Sequence, residues 1–259
     1  MSRLQKIGLV AFVVFVAFAV AFSYLTKSQF IKMPEKPWHM QPFTDAGSLT
    51  AEYAGKYELL DKKSLLSRFA DSLRVTVSVL VDAWGVPFDE NLLAEDFAVF
   101  KDSPHKEFLH HRLANRTRHA EFAELRIPGD STRSCGGVYL FGGDSLEYGR
   151  NLYMDSLGYT QKLFCQKCAD SVVIGKLDSL LSLDSLFAPE EAKVIALTTQ
   201  DSRDGDRTKL HATLRGIADV ARKHPDVRFI VQGTHRPILG DPKIRRESFT
   251  HWVPAVVIN

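Results

Sequence analysis

The chain has 259 residues with a formal net charge of +2. That balance lacks the basic excess of nucleic-acid binders, and nucleic acid is not an expected partner. With 45% hydrophobic residues the composition supports one domain with a generous core rather than a disordered chain.

The run from Ile7 to Leu25 carries no charge and is close to the roughly 20 residues that cross a bilayer core as helix. Arg3 and Lys6 precede it, which by the positive-inside rule leaves residues 1–6 in the cytoplasm. The expectation is a single-pass anchor over residues 7–25 in the inner (cytoplasmic) membrane, with the rest of the chain extracytoplasmic, that is periplasmic. Ala19-Val20-Ala21 also matches a signal-peptidase pattern, so a cleaved signal sequence is the second reading of the same run. Residues 26–50, with Pro34, Pro37 and Pro42, read as a linker, and residues 51–259 as the domain.

Within that domain the pattern alternates. Arg74 to Asp82 is rich in β-branched residues and reads as a strand ending at an acid. Helical spacing follows over Asn91–Phe100 and Thr117–Leu125, then strands over Val138–Phe141 and Ser171–Ile174, then a leucine-rich helix over Leu177–Phe187. Lys193–Thr199 reads as a strand, Arg207–Lys223 as an amphipathic helix, and Val227–Gln232 and Val253–Ile258 as the closing strands. Strands alternating with helices predict an α/β fold, a mostly parallel sheet with helices on both faces, preceded by the transmembrane helix. Such sheets carry their sites at the carboxyl ends of the strands.

Three segments fall there. Asp82 leaves a strand into Ala-Trp-Gly85, where a carboxylate suits a cation or simply caps the strand. Thr117 opens a helix, as an anion-facing hydroxyl or as an ordinary N-cap. His235 follows the turn Gly233-Thr234, as a metal ligand or a loop histidine. Asp201, Asp204 and Asp206 read as a solvated turn with the capacity to supply one more acid. His105, His110 and His111 read as a solvated surface patch. Cys135, Cys165 and Cys168 leave one thiol over after any pairing. Cys165-Gln-Lys-Cys168 without a second such motif reads as a local disulfide or as inert thiols.

In this order the segments resemble the alkaline-phosphatase superfamily, in its membrane-anchored sulfatase-like and phosphoethanolamine-transferase-like branch. Val81-Asp82-Ala-Trp-Gly85 is similar to V-E-S-x-G. Thr117, Glu121, Glu124 and Leu125 match T-x-x-x-E-x-R-E-L, and Gly233-Thr-His235-Arg-Pro237 matches G-D-H-x-P. Tyr148-Gly-Arg150-Asn-Leu-Tyr153 with Gly158-Tyr159 is similar to F-x-R…Y…G-F, and Thr250-His251-Trp-Val-Pro254 to the terminal V-P strand.

The resemblance implies a zinc site at Asp82, Thr117, Thr234 and His235, with Thr117 as nucleophile and Arg150 and His251 on the substrate. It also implies a phosphate- or sulfate-ester hydrolase or transferase acting on envelope lipid headgroups or glycans at the bilayer. The chain departs from the pattern at Thr234, where the family has Asp, at Asp82 for Glu, and at Ala123 for Arg. Those departures keep a second reading beside the first, an inactive scaffold of the same fold.

Overall fold

A computed structural model describes residues 15–17, 49, 53, 55–70, 74–112, 117–128, 136–143, 149–183, 194–237 and 247–259. The chain divides into two units, residues 1–41 and residues 42–259. Of the apolar run Ile7–Leu25, residues 15–17 are helical and exposed; the rest lies outside the described residues. Among the described residues no helix is long and apolar enough to cross a membrane.

In the second unit the described elements are β1 (Glu58–Leu60), α1 (Leu65–Phe69), β2 (Thr76–Val81), α2 (Glu90–Ala98), β3 (His105–His111), α3 (Thr117–Glu124) and β4 (Gly137–Phe141). They continue as α4 (Arg150–Tyr153), β5 (Tyr159–Phe164), α5 (Asp170–Leu181), β6 (Val194–Thr198), α6 (Arg207–Lys223), β7 (Arg228–Gly233) and β8 (Trp252–Ile258). The strands form one 8-stranded sheet in the order β1-β3-β8-β7-β2-β6-β4-β5. Every pairing is parallel except those of β8, which runs antiparallel between β3 and β7.

β2 lies at the centre and is buried along its whole length, as a strand covered on both faces must be. Val77, Val79 and Val81 point into a core with Leu93 and Phe97 of α2, Val173 and Leu177 of α5, and Leu210, Leu214 and Ile217 of α6. Leu80 points the other way, toward Leu65 and Leu66 of α1, Ala120 of α3 and Tyr153 of α4. This period of two places three helices on each face.

Three expectations change. Ser171–Ile174, expected as a strand, is the first turn of α5, and the expected helix from Leu177 is its continuation to Leu181. Residues 184–187 of that expected helix lie outside the described residues. The β-branched run Val172-Val173-Ile174 costs a helix at most about 0.7 kcal/mol per residue. Burying Val173, Ile174, Leu177 and Leu181 on one face returns roughly 1.5–3 kcal/mol for each side chain, so burial decides.

The histidine segment, expected as solvated surface, is strand β3, with His110 fully buried. The three acids at 201–206 form a turn whose side chains are all engaged. Asp206 caps α6 by accepting the Thr208 and Lys209 N–H groups, Asp204 pairs with Lys209, and Asp201 accepts the Asp170 N–H at 2.8 Å. Cys165 and Cys168 form a disulfide beside the start of α5.

Candidate active site

β2, β3, β6 and β7 are parallel, so their carboxyl ends share one edge of the sheet, and β8, being antiparallel, begins there. Asp82 is the residue after β2. Its N–H donates to Thr199 Oγ1 at 3.1 Å, and its carbonyl accepts from Ser202 Oγ at 2.6 Å. The chain then turns through Ala83 at φ 56°, a left-handed conformation rare for alanine. Trp84 follows, fully buried, its indole N–H donating to Asp96 at 3.0 Å. Burial pushes the Asp96 carboxyl up despite Arg207 and His211 beside it.

Two glycines let this turn meet the one after β7. A Cβ on Gly233 would lie 1.8 Å from the Trp84 carbonyl oxygen, and one on Gly85 would lie 2.6 Å from Arg236 Cα. Only a residue without a side chain fits either place. The contact seats Thr234 between the two turns. Its N–H donates to the Val81 carbonyl at 3.0 Å, its hydroxyl accepts the Ala83 N–H at 3.3 Å and donates to Asp82 Oδ1 at 3.0 Å. Where an aspartate would set a second negative charge against Asp82, threonine supplies a hydrogen-bond donor.

Thr117 comes from the opposite side, at the start of α3. Two buried carboxylates one and two turns along bolt that helix down. Glu121 accepts from Arg150 Nη2 at 2.7 Å, from Tyr139 at 2.9 Å and from Tyr153 at 2.5 Å. Glu124 meets His110 Nε2 at 3.1 Å and accepts from the Leu65 N–H and the Gln232 amide, both at 3.3 Å. So held, the Thr117 hydroxyl lies 3.0 Å from Asp82 Oδ1 and 3.2 Å from His235 Nε2, and those two atoms are 3.3 Å apart. All four residues are buried.

The structure thus brings together Asp82, Thr117, Thr234 and His235, and leaves two expected substrate contacts elsewhere. Arg150 is fully buried, locked on Glu121 and over the Phe141 ring at 3.5 Å. Its guanidinium is engaged inside the core by Glu121 and by Tyr139. His251 stands just before β8, stacked on His111 at 5.8 Å between centroids.

His251 has company that sequence reasoning missed. Arg112, after β3, carries a guanidinium lowered to about 10, by burial and by the neighbouring Arg236. Burial first, then Lys62, push His111 down; burial first, then Arg112, do the same to His251. The available signal was basic residues flanking the motifs, with Arg112 ahead of Thr117 and Arg236 after His235.

The depressed imidazoles carry a pH consequence. Each binds its proton more weakly folded than unfolded, so its contribution is complete above the ordinary 6.5 and is lost as pH falls below that value. Melting temperature is expected to drop between pH 7.5 and 5.5, and His251→Asn should make that slope shallower. Superimposable slopes for parent and variant in calorimetric scans would rule the contribution out.

His235 Nδ1 lies 2.7 Å from the Arg236 carbonyl, which fixes Nδ1 as the protonated nitrogen and leaves a lone pair on Nε2. That lone pair and Asp82 Oδ1 are two acceptors facing each other at 3.3 Å, an arrangement relieved by a shared proton or a small cation. With the hydroxyls of Thr117 and Thr234, each 3.0 Å from Asp82 Oδ1, they are the groups that could hold one divalent ion, with a single carboxylate among them. Among the described residues no group of three or more His, Cys, Asp or Glu gathers at one point, so any such ion leans on the hydroxyls.

No family model matches the chain, and no curated protein matches it either. Among solved structures it is similar to an alkaline-phosphatase-superfamily protein from Vibrio parahaemolyticus, with TM-score 0.52 and 12% identity over 74% of this chain. It is also similar to the lipoteichoic acid synthase LtaP from Listeria monocytogenes, with TM-score 0.51 and 8% identity over 72% of this chain. The fold is therefore one shared with these two structures, the first of them a protein in the alkaline phosphatase superfamily. The matches span 61% and 65% of those two chains, so this chain corresponds to less than two thirds of either.

Proposed function

We propose that the domain is an extracytoplasmic hydrolase or transferase of phosphate or sulfate esters, anchored by residues 7–25, with Thr117 as its nucleophile. The observation carrying this reading is the convergence of Thr117 Oγ1, Asp82 Oδ1 and His235 Nε2 within 3.0–3.3 Å from three distant parts of the chain.

The Thr117 hydroxyl gives its proton to the Asp82–His235 pair as its oxygen bonds to the phosphorus or sulfur atom. The bond to the leaving oxygen breaks, and the stored proton passes to that oxygen. Water or an acceptor hydroxyl then bonds to the phosphorus or sulfur and gives its proton to the same pair, while the bond to the Thr117 oxygen breaks and that oxygen takes the proton back from the pair. Thr234 keeps Asp82 aimed, and the His235 Nδ1–H bond to the Arg236 carbonyl keeps Nε2 facing the hydroxyl. A divalent ion held by Asp82, Thr117, Thr234 and His235 would polarise the ester and favour the ionised hydroxyl. Anchoring would bring lipid headgroups or envelope glycans to the site more readily than dilute solutes.

A second reading, a non-catalytic binding domain, draws on Thr234 standing where the family pattern has an acid. Intact-mass and peptide analysis of the full chain after incubation with bis(p-nitrophenyl) phosphate and p-nitrophenyl sulfate separates the two. The enzyme reading expects nitrophenol release and an ester mass on the peptide containing Thr117. Absence of both, with and without added zinc, would leave the binding domain.

A further inference from the structure

α3 is inverted relative to an ordinary surface helix. Its buried residues are Thr117, Ala120, Glu121 and Glu124, whereas Phe122, its one large apolar side chain, is 49% exposed. An amphipathic helix turns its apolar stripe to the core and its charges to water. Here both acids face inward, on the buried partners described above, and the exposed positions carry Arg118, His119 and Phe122. Arg126, just beyond the helix, is exposed as well. No carboxylate of α3 reaches the surface.

The neighbouring α4 repeats the pattern. Its charge, Arg150, is fully buried on Glu121, while Leu152 is 78% exposed, more than any other large apolar side chain among the described residues. Tyr153 joins the two helices. Its ring meets the Phe122 ring edge-on at 6.2 Å between centroids, and the Arg118 guanidinium lies 5.6 Å from its centroid. Leu152 is the residue before that tyrosine.

Single exposed apolar side chains are normal, but an exposed phenylalanine and leucine set among arginines, with the acids turned inward, form a surface with a purpose. Apolar side chains bracketed by basic ones are how a helix lies on a bilayer, with the apolar groups at the acyl boundary and the cations at the lipid phosphates. The anchor proposed at residues 7–25 keeps a bilayer within reach, and anionic headgroups supply the negative charge opposite Arg118 and Arg126.

We propose that the exposed side of α3 and α4, formed by Arg118, Phe122, Arg126 and Leu152, is a docking surface for a phospholipid bilayer that contains anionic lipid. The inference rests on the anchoring proposed above and adds a contact made by the domain itself. Phe122 lies five residues, about 7.5 Å along the helix axis, from Thr117, so a face seated on the headgroups brings the Thr117 cluster to lipid-borne esters.

The test uses the full chain with Cys135→Ser, so that an introduced cysteine is the one thiol outside the Cys165–Cys168 disulfide and can carry a nitroxide label. Phe122→Cys and Leu152→Cys report on the face, and Arg215→Cys, exposed on α6 across the sheet, is the control. Each is placed in phosphatidylcholine vesicles with and without phosphatidylglycerol. With phosphatidylglycerol, the labels at 122 and 152 are expected to collide with oxygen more, and with a water-soluble nickel chelate at least about fivefold less, than the label at 215. Arg118→Gln with Arg126→Gln should abolish the response to phosphatidylglycerol.

Phe122→Gln with Leu152→Gln should slow turnover of an acyl-chain nitrophenyl phosphate ester in the bilayer at least about fivefold, and leave soluble bis(p-nitrophenyl) phosphate at the parent rate. The labels read docking whether or not any ester is turned over, so failure of the ester chemistry and failure of the docking surface are separate results. Labels at 122 and 152 as open to nickel as the one at 215, in both kinds of vesicle, would overturn the proposal. So would dipolar broadening between labels on two copies in place of oxygen exposure, which would assign the face to self-association.

Discussion

Thr117→Ala is expected to lower ester turnover by at least about 10³-fold, because it removes the atom that forms the new bond to phosphorus or sulfur. The fold should tolerate the change. The lost hydrogen bond to Asp82 is worth roughly 0.5–1.5 kcal/mol, and Asp82 keeps Thr234 and His235 as partners. α3 itself is held by Glu121 and Glu124 rather than by its first residue. Thr117→Ser, which retains the hydroxyl, should stay within about tenfold of the parent. Steady-state rates on a phosphodiester and a sulfate ester, with melting curves alongside, decide the matter. An alanine variant that still turns over at the parent rate would remove Thr117 from the chemistry.

The largest stability effect is expected at Arg150. Arg150→Met leaves the Glu121 carboxylate inside the core with tyrosine hydroxyls alone as donors, and both side chains of this pair are fully buried. Removing one partner of a buried pair costs about 3–5 kcal/mol, a large share of the roughly 5–15 kcal/mol that holds a domain together. For a domain of this size that corresponds to a fall of roughly 6–20 °C in melting temperature. The double variant Arg150→Met with Glu121→Gln should recover much of the loss, since the unpaired charge is then gone. A loss under about 1 kcal/mol in Arg150→Met, read by urea titration, would show that the tyrosines suffice. Because Glu121 sits one turn beyond Thr117, the same variant should also lower turnover without touching any reacting atom.

What the sequence made legible follows from how strongly each segment is patterned. The helix expected over Arg207–Lys223 has those bounds in the structure, because its leucines and isoleucine repeat at helical spacing after the Asp206 cap. The central strand, buried on both faces, is equally plain as an apolar run. β3 and β5 were hidden for the opposite reason. β3 reads His-Lys-Glu before its apolar residues, and β5, at the sheet edge, leaves Thr160, Gln161 and Leu163 exposed, so neither shows a clean hydrophobic face.

The site divides the same way. Asp82, Thr117 and His235 each end or begin a recognisable element, and the order of their motifs suggested a common point. The surroundings of Arg150 were not legible, because its partner Glu121 and the tyrosines at 139 and 153 that share it meet only in three dimensions. The cationic group around Arg112 was barely visible for a related reason. Its members are single residues at the ends of separate strands, and basic residues flanking the motifs were a faint hint that they lie near one another.

Gly85 and Gly233 join the turns after β2 and β7 backbone against backbone, with no side chain between to take up slack. The two turns therefore form one mechanical piece, and neither can lengthen or swing without the other. Variation at this edge is channelled into side-chain replacement on a fixed frame: position 234 can trade an acid for a hydroxyl while its Cα stays where it is. Replacing one side chain at this edge therefore changes the chemistry available there while the backbone contact at Gly85 and Gly233 stays as it is.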